Sequence, residues 1–396
     1  MLEGQSILCF APEPWEGIWR NRHQIMSRLA RRNTVLWVEP RPYLRQVLSR
    51  GVARSRGPRL CRVQDGLHVY RPPRSAPVSG REPLKTLFDA RRRRSLLEVM
   101  ARVGMCRPIV WLCRPWQHDV VGRYNELLLL YHVVDEYAAY ETDYVQQVGH
   151  VRQQAMKAME RQVLQAADLV IVTSSPLLEA KRPLNPHTYL VRNGADTAAF
   201  TAAADSDEPA PADIAALPQP VIGIAGVVTE KIDLALLRDL ALARPDWSLA
   251  FMGQVILRFG QKGMAGLDLP NVHFLGHKPV EMLPRYVAAC QVCLMPYKIN
   301  EWTRNIDPLK MYEYLAAGKP VVSTDIPSAR DFVPPLHIAP DAAGFVSAIE
   351  AALAQDSVAE QQAFRRLAAQ HDWNVRVEEV SKHIAAALDR AARSTC

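Results

Sequence analysis

The sequence predicts an α/β fold made of two successive parallel-sheet units. Three observations predict it. Short apolar, β-branched runs alternate with helix-patterned segments along most of the chain. The 396 residues are enough for two separate cores. An Ala/Asp/Pro-rich stretch, 198–220, divides the alternation in two. The expected organisation is a first domain over 1–197, a linker over 198–220, a second domain over 221–375 and a last helix over 376–396.

The elements follow in order. Ile7 to Ala11 reads as the first strand and Val35 to Val38 as the second, with a helix through Leu29 between them. No G-x-G-x-x-G follows the first strand, which disfavours a dinucleotide oxidoreductase. The intervening loop instead carries Glu13, Trp15, Glu16, Trp19, Arg20, Arg22 and His23. Loops at strand carboxyl ends face the ligand crevice of such sheets. Trp15, Glu16, Arg20 and His23 are therefore candidates for binding an acceptor. A packed Trp and a hydrogen-bonding His explain the same pattern.

Residues 41–107 are rich in Pro, Arg and Ser, with an amphipathic piece from Leu84 to Val103. Its expected apolar side is Leu84, Leu87, Phe88, Leu96, Leu97 and Met100. Ile109 to Leu112 and Leu127 to Val134 are the next strands. The second ends in Asp135-Glu136-Tyr137. A helix from Val151 to Ala167 buries Met156, Met159, Val163 and Ala166-Ala167, and Leu169 to Thr173 is again a strand. Asn193-Gly194 reads as a tight turn.

The second half opens with the strand Val221 to Ala225, then Gly226, a polar loop with Lys231, and a helix burying Leu234, Leu237 and Leu240. Strands Leu249 to Met252 and Val292 to Met295 follow. The chain closes on a cap, His371-Asp372-Trp373, and a helix with Val377, Val380, Ile384, Leu388 and Ala391 on one stripe.

Composition excludes several classes. No apolar run approaches the roughly 20 residues that a membrane-spanning helix needs. The chain opens Met-Leu-Glu with no basic n-region, so no signal peptide is expected. The seven cysteines are scattered. Cys290 and Cys293 form a C-x-x-C without a second pair at metal spacing, so free thiols and a cytoplasmic setting are expected. The net charge of +7 is uneven: residues 1–200 carry 30 Lys+Arg against 18 Asp+Glu. A solvated face explains this, as does an anionic membrane surface or a polyprenyl-phosphate acceptor. Nucleic acid is disfavoured, because no aromatics interleave with the basic run, Arg91 to Arg94 included.

The most informative stretch is Arg304 to Pro327, RNIDPLKMYEYLAAGKPVVSTDIP. Asp307 is the expected N-cap and Pro308 the first helical residue. Leu309, Met311, Tyr312, Leu315 and Ala316 face inward, and Gly318 takes the positive φ of a helix end. Helix N–H groups form an anion site. Lys310 adds a full charge, and Glu313 lies one turn deeper on the same face. A cation there suits a diphosphate, and the carboxylate suits the two hydroxyls of a ribose. A surface Lys/Glu pair is the plainer explanation.

PLKMYEYLAAGKPVVSTDIP resembles the donor-sugar segment of GT-B glycosyltransferases, whose two Rossmann-like domains face a central cleft. The likeness is strongest to the bacterial exopolysaccharide and teichuronic-acid branch of the family-4, group 1 enzymes. It extends more distantly to xanthan glucuronosyltransferases. The resemblance implies the GT-B fold, with the last helix crossing back to the first domain. It implies transfer of a hexosyl or glucuronosyl unit (EC 2.4 class) from a nucleotide-diphospho-sugar, a UDP-sugar above all. The acceptor would be a glycan or polyprenyl-diphosphate-linked oligosaccharide in cell-surface polysaccharide biosynthesis.

Gly226, Lys231, His277, Tyr297, Asn305, Lys310 and Glu313 are the implied donor contacts. Gly276, Lys278, Lys298 and Arg304 are secondary ones. Asn305 stands where the broad family-4 pattern places a second Glu. Asp135, at a strand end as in inverting xanthan-type enzymes, is the expected base, with Glu136 as its alternate and His118 and Asp119 behind them. No metal and no cofactor beyond the nucleotide-sugar co-substrate are expected. The implied location is cytoplasmic, peripheral on the inner face of the plasma membrane. The rivals are a non-catalytic GT-B subunit that binds nucleotide or glycan, and a GT-B nucleotide-sugar epimerase or hydrolase.

Overall fold

The computed structural model describes residues 2–44, 59–141, 149–256, 266–355 and 357–394. The arginine-rich region between 41 and 107 is thus described except for 45–58. The first sheet contains β1 (Ser6–Phe10), β2 (Thr34–Val38), β3 (Leu60–Gln64), β4 (Leu67–Tyr70), β5 (Ile109–Leu112), β6 (Leu128–Val133), β7 (Leu169–Val172) and β8 (Thr188–Leu190). Their order is β3-β4-β2-β1-β5-β6-β7-β8, parallel except for the β3/β4 hairpin at the edge. The second sheet holds β9 (Val221–Ala225), β10 (Ser248–Met252), β11 (Val272–Phe274), β12 (Val292–Met295), β13 (Val321–Ser323) and β14 (Leu336–Ile338). Its order is β11-β10-β9-β12-β13-β14, all parallel.

The central strands β5, β6, β7, β9 and β12 are buried at every residue. This is why they read as continuous apolar runs and not as alternating ones: helices cover both faces of a parallel sheet. In each sheet the winding direction reverses once, between β1 and β5 and between β9 and β12. Ligands bind outside the strand carboxyl ends at such points.

In the first domain, α1 (Asn21–Leu29) packs on one face of the sheet, while α2 (Leu84–Arg102) and α3 (Gly149–Ala166) pack on the other. The buried side of α2 is Leu96, Val99 and Met100 with Arg92. Leu84, Leu87 and Leu97, expected inside, are exposed: the first two stand on the first half of the helix, which does not lie over the sheet, and Leu97 is on the solvent side of the second half. On α3 Val163 and Leu164 are buried, whereas Ala166 is exposed. The helix α4 (Ser175–Lys181) connects β7 to β8.

The stretch read as a linker holds two helices, α5 (Thr197–Ala204, beginning just ahead of it) and α6 (Ala212–Ala215). Phe200 and Ile214 enter the core of the second domain, and the Thr201 hydroxyl donates to the Ala316 carbonyl at 3.1 Å. Alanine richness here supports helix, not mere connection. Gly194 is not at a positive φ. A Cβ there would lie 2.1 Å from the His371 carbonyl oxygen, so the glycine permits the close passage of the returning chain.

The second domain continues with α7 (Leu234–Ala243), α8 (Leu283–Ala288), α9 (Leu309–Ala316), α10 (Pro327–Arg330), α11 (Ala342–Gln355) and α12 (Val358–Ala369). Then α13 (Trp373–Ser394) crosses back. Its Trp373, Val377, Val380 and Ile384 share a core with Ile7, Val35 and Trp111 of the first sheet. Asp372 caps it, accepting from the Asn374 N–H at 2.7 Å. The two domains are therefore joined twice by the chain, once through residues 191–196 and once through 371–373.

Candidate active site

The second domain supplies a cationic wall. Gly226 ends β9 at φ +89°, a value that favours glycine. A Cβ there would sit 3.9 Å from Lys310 Nζ, which places the ammonium against the carboxyl end of β9, at the winding reversal. The same ammonium lies 5.5 Å from the Tyr297 ring centroid. Tyr297 is buried, and its N–H donates to Thr324 Oγ1 at 3.0 Å, so the loop after β12 is fixed.

Lys310 stands in the first turn of α9, and Glu313 one turn on. Burial pulls Lys310 down to about 8, with Glu313 opposing and Lys231 adding to the fall. Burial pushes Glu313 up to about 7, with Lys310 opposing. Asp307, the expected N-cap, does not cap α9; Pro308 occupies that position without a side-chain bond. The Asp307 carboxylate instead accepts from the Asn193 N–H at 2.7 Å and the Tyr312 hydroxyl at 2.8 Å, tying α9 to the interdomain segment. Burial raises it to about 6.

Lys231 projects from the loop between β9 and α7. Its Nζ lies 4.3 Å from the Trp302 ring centroid and 3.2 Å from Asp135 Oδ1, on the other domain. Asp135 follows β6 directly, so the expected base and an expected donor contact face each other across the cleft. Arg20 and Arg114 add positive charge at the same place. Together with desolvation they act to lower Lys231, which Asp135 opposes. Arg114 follows β5 and is held by the Tyr137 hydroxyl at 2.5 Å, its guanidinium 4.5 Å from that ring centroid. The sequence reading missed Arg114 and Trp302. Arg114 had a usable signal, its place after the apolar run Ile109 to Leu112.

Other expected residues lie elsewhere. Glu136 pairs with Lys181 at 2.7 Å, and the same ammonium holds Glu160 at 2.7 Å, which bonds the Tyr131 hydroxyl. That network is a buried tie between α3, α4 and β6, and Glu136 is its structural member. His23 is fully buried among Trp15, Trp19 and Trp37. Its Nδ1 accepts from the Arg20 N–H at 3.2 Å, and burial lowers it to about 4. It is a neutral packing residue and offers no acceptor contact.

Trp15 packs edge-on against Trp37 at 5.1 Å, and Glu16 pairs with Arg71 at 2.9 Å. His277 is exposed beyond β11, and Lys278 is drawn to Asp213 at 2.6 Å. Asn305 donates to the Glu301 carbonyl, while its own carbonyl accepts from Ser174 Oγ at 2.7 Å, again between the domains. Lys298 contributes its N–H to the Lys231 carbonyl at 2.8 Å, and Arg304 is exposed. Asp119 is bound by Arg41 at 3.2 Å. Cys290 and Cys293 are both buried. Among the described residues, no three His, Cys, Asp or Glu side chains converge on a metal-sized site, and no helix is long and apolar enough to cross a membrane.

The family described as "Glycosyl transferases group 1" matches residues 219–355, the second domain. Over 376 residues the chain is 27% identical to TuaH of Bacillus subtilis (strain 168), described as a teichuronic acid biosynthesis glycosyltransferase, covering 91% of this chain and 92% of that one. Among solved structures, HepE of Anabaena in complex with UDP and glucose superposes with TM-score 0.66 at 15% identity, over 97% of this chain and 100% of that one. Sucrose-phosphate synthase from Thermosynechococcus elongatus gives 0.65 at 18% identity, over 99% and 98%. Trehalose 6-phosphate synthase from Burkholderia multivorans gives 0.66 at 12%, over the whole of both chains. The second domain thus resembles the group 1 glycosyltransferases, and the whole chain has the two-domain GT-B fold of these solved structures.

Proposed function

We propose that this enzyme transfers a sugar from a UDP-sugar to a hydroxyl of a glycan or lipid-linked oligosaccharide in cell-surface polysaccharide synthesis, with inversion. The observation that carries the reading is the Lys310 ammonium seated beside Gly226, with Glu313 one turn deeper. A diphosphate meets Lys310, Lys231 and the start of α9, and a ribose meets Glu313. The HepE complexes with UDP and with UDP-glucose support a uridine donor on this fold.

The acceptor hydroxyl oxygen attacks the anomeric carbon while the bond from that carbon to the diphosphate oxygen breaks. The electron pair leaves with the diphosphate, and Asp135 takes the hydroxyl proton. Cations already aimed at the departing diphosphate stabilise its growing charge without reorganisation. Among the donor contacts the reading retains Gly226, Lys231, Tyr297, Lys310 and Glu313; on the acceptor side it retains Arg20 and the edge of Trp15. The exposed Leu84, Leu87 and Leu97 beside the arginines of α2 support contact with an anionic membrane face.

The test is release of UDP from UDP-glucose and other UDP-sugars with and without undecaprenyl-diphosphate-linked saccharides. Acceptor-dependent release in the wild type that Asp135→Ala abolishes supports the reading. Release that ignores the acceptor contradicts it.

A further inference from the structure

A second concave site lies in the first domain, outside the donor wall. A cavity of about 40 Å³ is floored by Phe10, Val38 and Tyr70, the last residues of β1, β2 and β4, and roofed by α2. A single water needs roughly 10–15 Å³, so there is room for a phosphate-sized group. Four arginines line it, Arg41, Arg92, Arg93 and Arg123, together with two carboxylates, Asp119 paired to Arg41 and Asp89 paired to Arg92.

Two of the arginines are walls. Arg41 is bound to Asp119, and Arg92 donates to the Ala76 and Pro77 carbonyls at 2.9 and 2.7 Å. The guanidinium groups of Arg93 and Arg123 hold no hydrogen bond or ion pair among the described residues. Tyr124 also lines the cavity. It is only 7% exposed, packs on Phe10 at 5.5 Å, and its hydroxyl has no protein partner among the described residues. Burial pushes it up to about 12, so at neutral pH the hydroxyl keeps its proton to donate. The hydroxyl reaches solvent, and a bound oxyanion would give it the acceptor that the described residues do not supply.

The cavity continues over Pro72 into a shallow groove that includes Arg59, Arg74 and Arg91. It sits at the same end of the sheet as Asp135. At about 4.8 Å per strand, β1 and β2 lie roughly 10 and 14 Å from β6.

The geometry points to an oxyanion subsite for the acceptor: Arg93, Arg123 and Tyr124 hold a phosphate-type group while a sugar hydroxyl, a short saccharide away, reaches Asp135. This rests on the transferase reading above and adds the place and the residues that hold the acceptor's phosphate or diphosphate.

The test is calorimetric titration of inorganic diphosphate into the full chain carrying Lys231→Ala and Lys310→Ala, which removes the donor-site cations. Binding should persist there. It should weaken about tenfold or more when Arg93→Ala and Arg123→Ala are added, and about threefold to tenfold with Tyr124→Phe. Arg93 and Arg123 are exposed, and Tyr124→Phe is conservative. UDP affinity of the Arg93→Ala/Arg123→Ala protein should equal that of the wild type. Equal diphosphate affinity with and without the cavity changes overturns the proposal. So does an effect confined to binding of phosphatidylglycerol vesicles, which would make the source a lipid headgroup. Failure of UDP to bind the wild type sinks the donor assignment separately and leaves the diphosphate titration readable.

Discussion

Lys231 and Asp135 form an ion pair of 3.2 Å that spans the cleft between the two domains. Each carries a charge opposite to the other's. On the proposed reading, a diphosphate would compete with Asp135 for Lys231 and so release the carboxylate for proton transfer. Asp135→Asn should therefore lower kcat by about 10²- to 10⁴-fold, while UDP affinity holds or rises. Steady-state kinetics and a UDP titration on one preparation check both halves. Full turnover in the variant removes Asp135 from the chemistry.

The pH dependence follows from the Lys310–Glu313 pair. A group depressed to about 8 loses its charge as pH rises through 8, and with it the attraction for a diphosphate. A carboxyl raised to about 7 is protonated as pH falls through 7, and then accepts ribose hydroxyls less well. UDP affinity should peak between about 7 and 8 and decline on both sides. Glu313→Gln should remove the acid limb and, because Glu313 holds Lys310 up, move the basic limb to lower pH. Dissociation constants from pH 5.5 to 9.5 would show it; a flat profile in the wild type contradicts the pairing.

Gly226→Ala tests the close approach at the end of β9. The positive φ costs a non-glycine residue about 1–2 kcal/mol, and the new methyl enters the space beside Lys310. The melting temperature should fall by a few degrees and UDP affinity by about tenfold. A variant that melts lower but binds UDP normally would show that this glycine serves only the turn.

His23 and Arg20 separate packing from recognition. His23→Ala should cost about 2–4 kcal/mol of stability through the cavity it leaves among three tryptophans, with no change in the pH profile above 5. Arg20 is exposed, so Arg20→Ala should leave the melting temperature in place and raise the acceptor KM. The reverse pattern would exchange their roles.

Much of the fold was legible because buried parallel strands write themselves as uniform apolar runs, as Val221 to Ala225 and Val292 to Met295 do. The helix that carries Lys310 and Glu313 was legible from its inward residues Met311, Tyr312, Leu315 and Ala316 and from Gly318 just past its end. What stayed hidden depends on contacts distant in sequence. Asp307 looked like a cap, yet its partner Asn193 lies 114 residues away. Phe200 sat in an apparent linker, and only the second domain's core gives it a place. Gly194 suggested a turn, whereas its reason is the backbone of His371. The Lys231–Asp135 pair joins two separately folded sheets, so no local pattern announces it.

The most direct test is calorimetric titration of UDP into the wild type, Lys310→Ala and Glu313→Ala. The account predicts selective binding of UDP over GDP and TDP. It predicts that each substitution weakens binding about 10- to 100-fold, the worth of one hydrogen bond to a charged group. UDP binding that neither substitution changes, or no UDP binding at all, would contradict it.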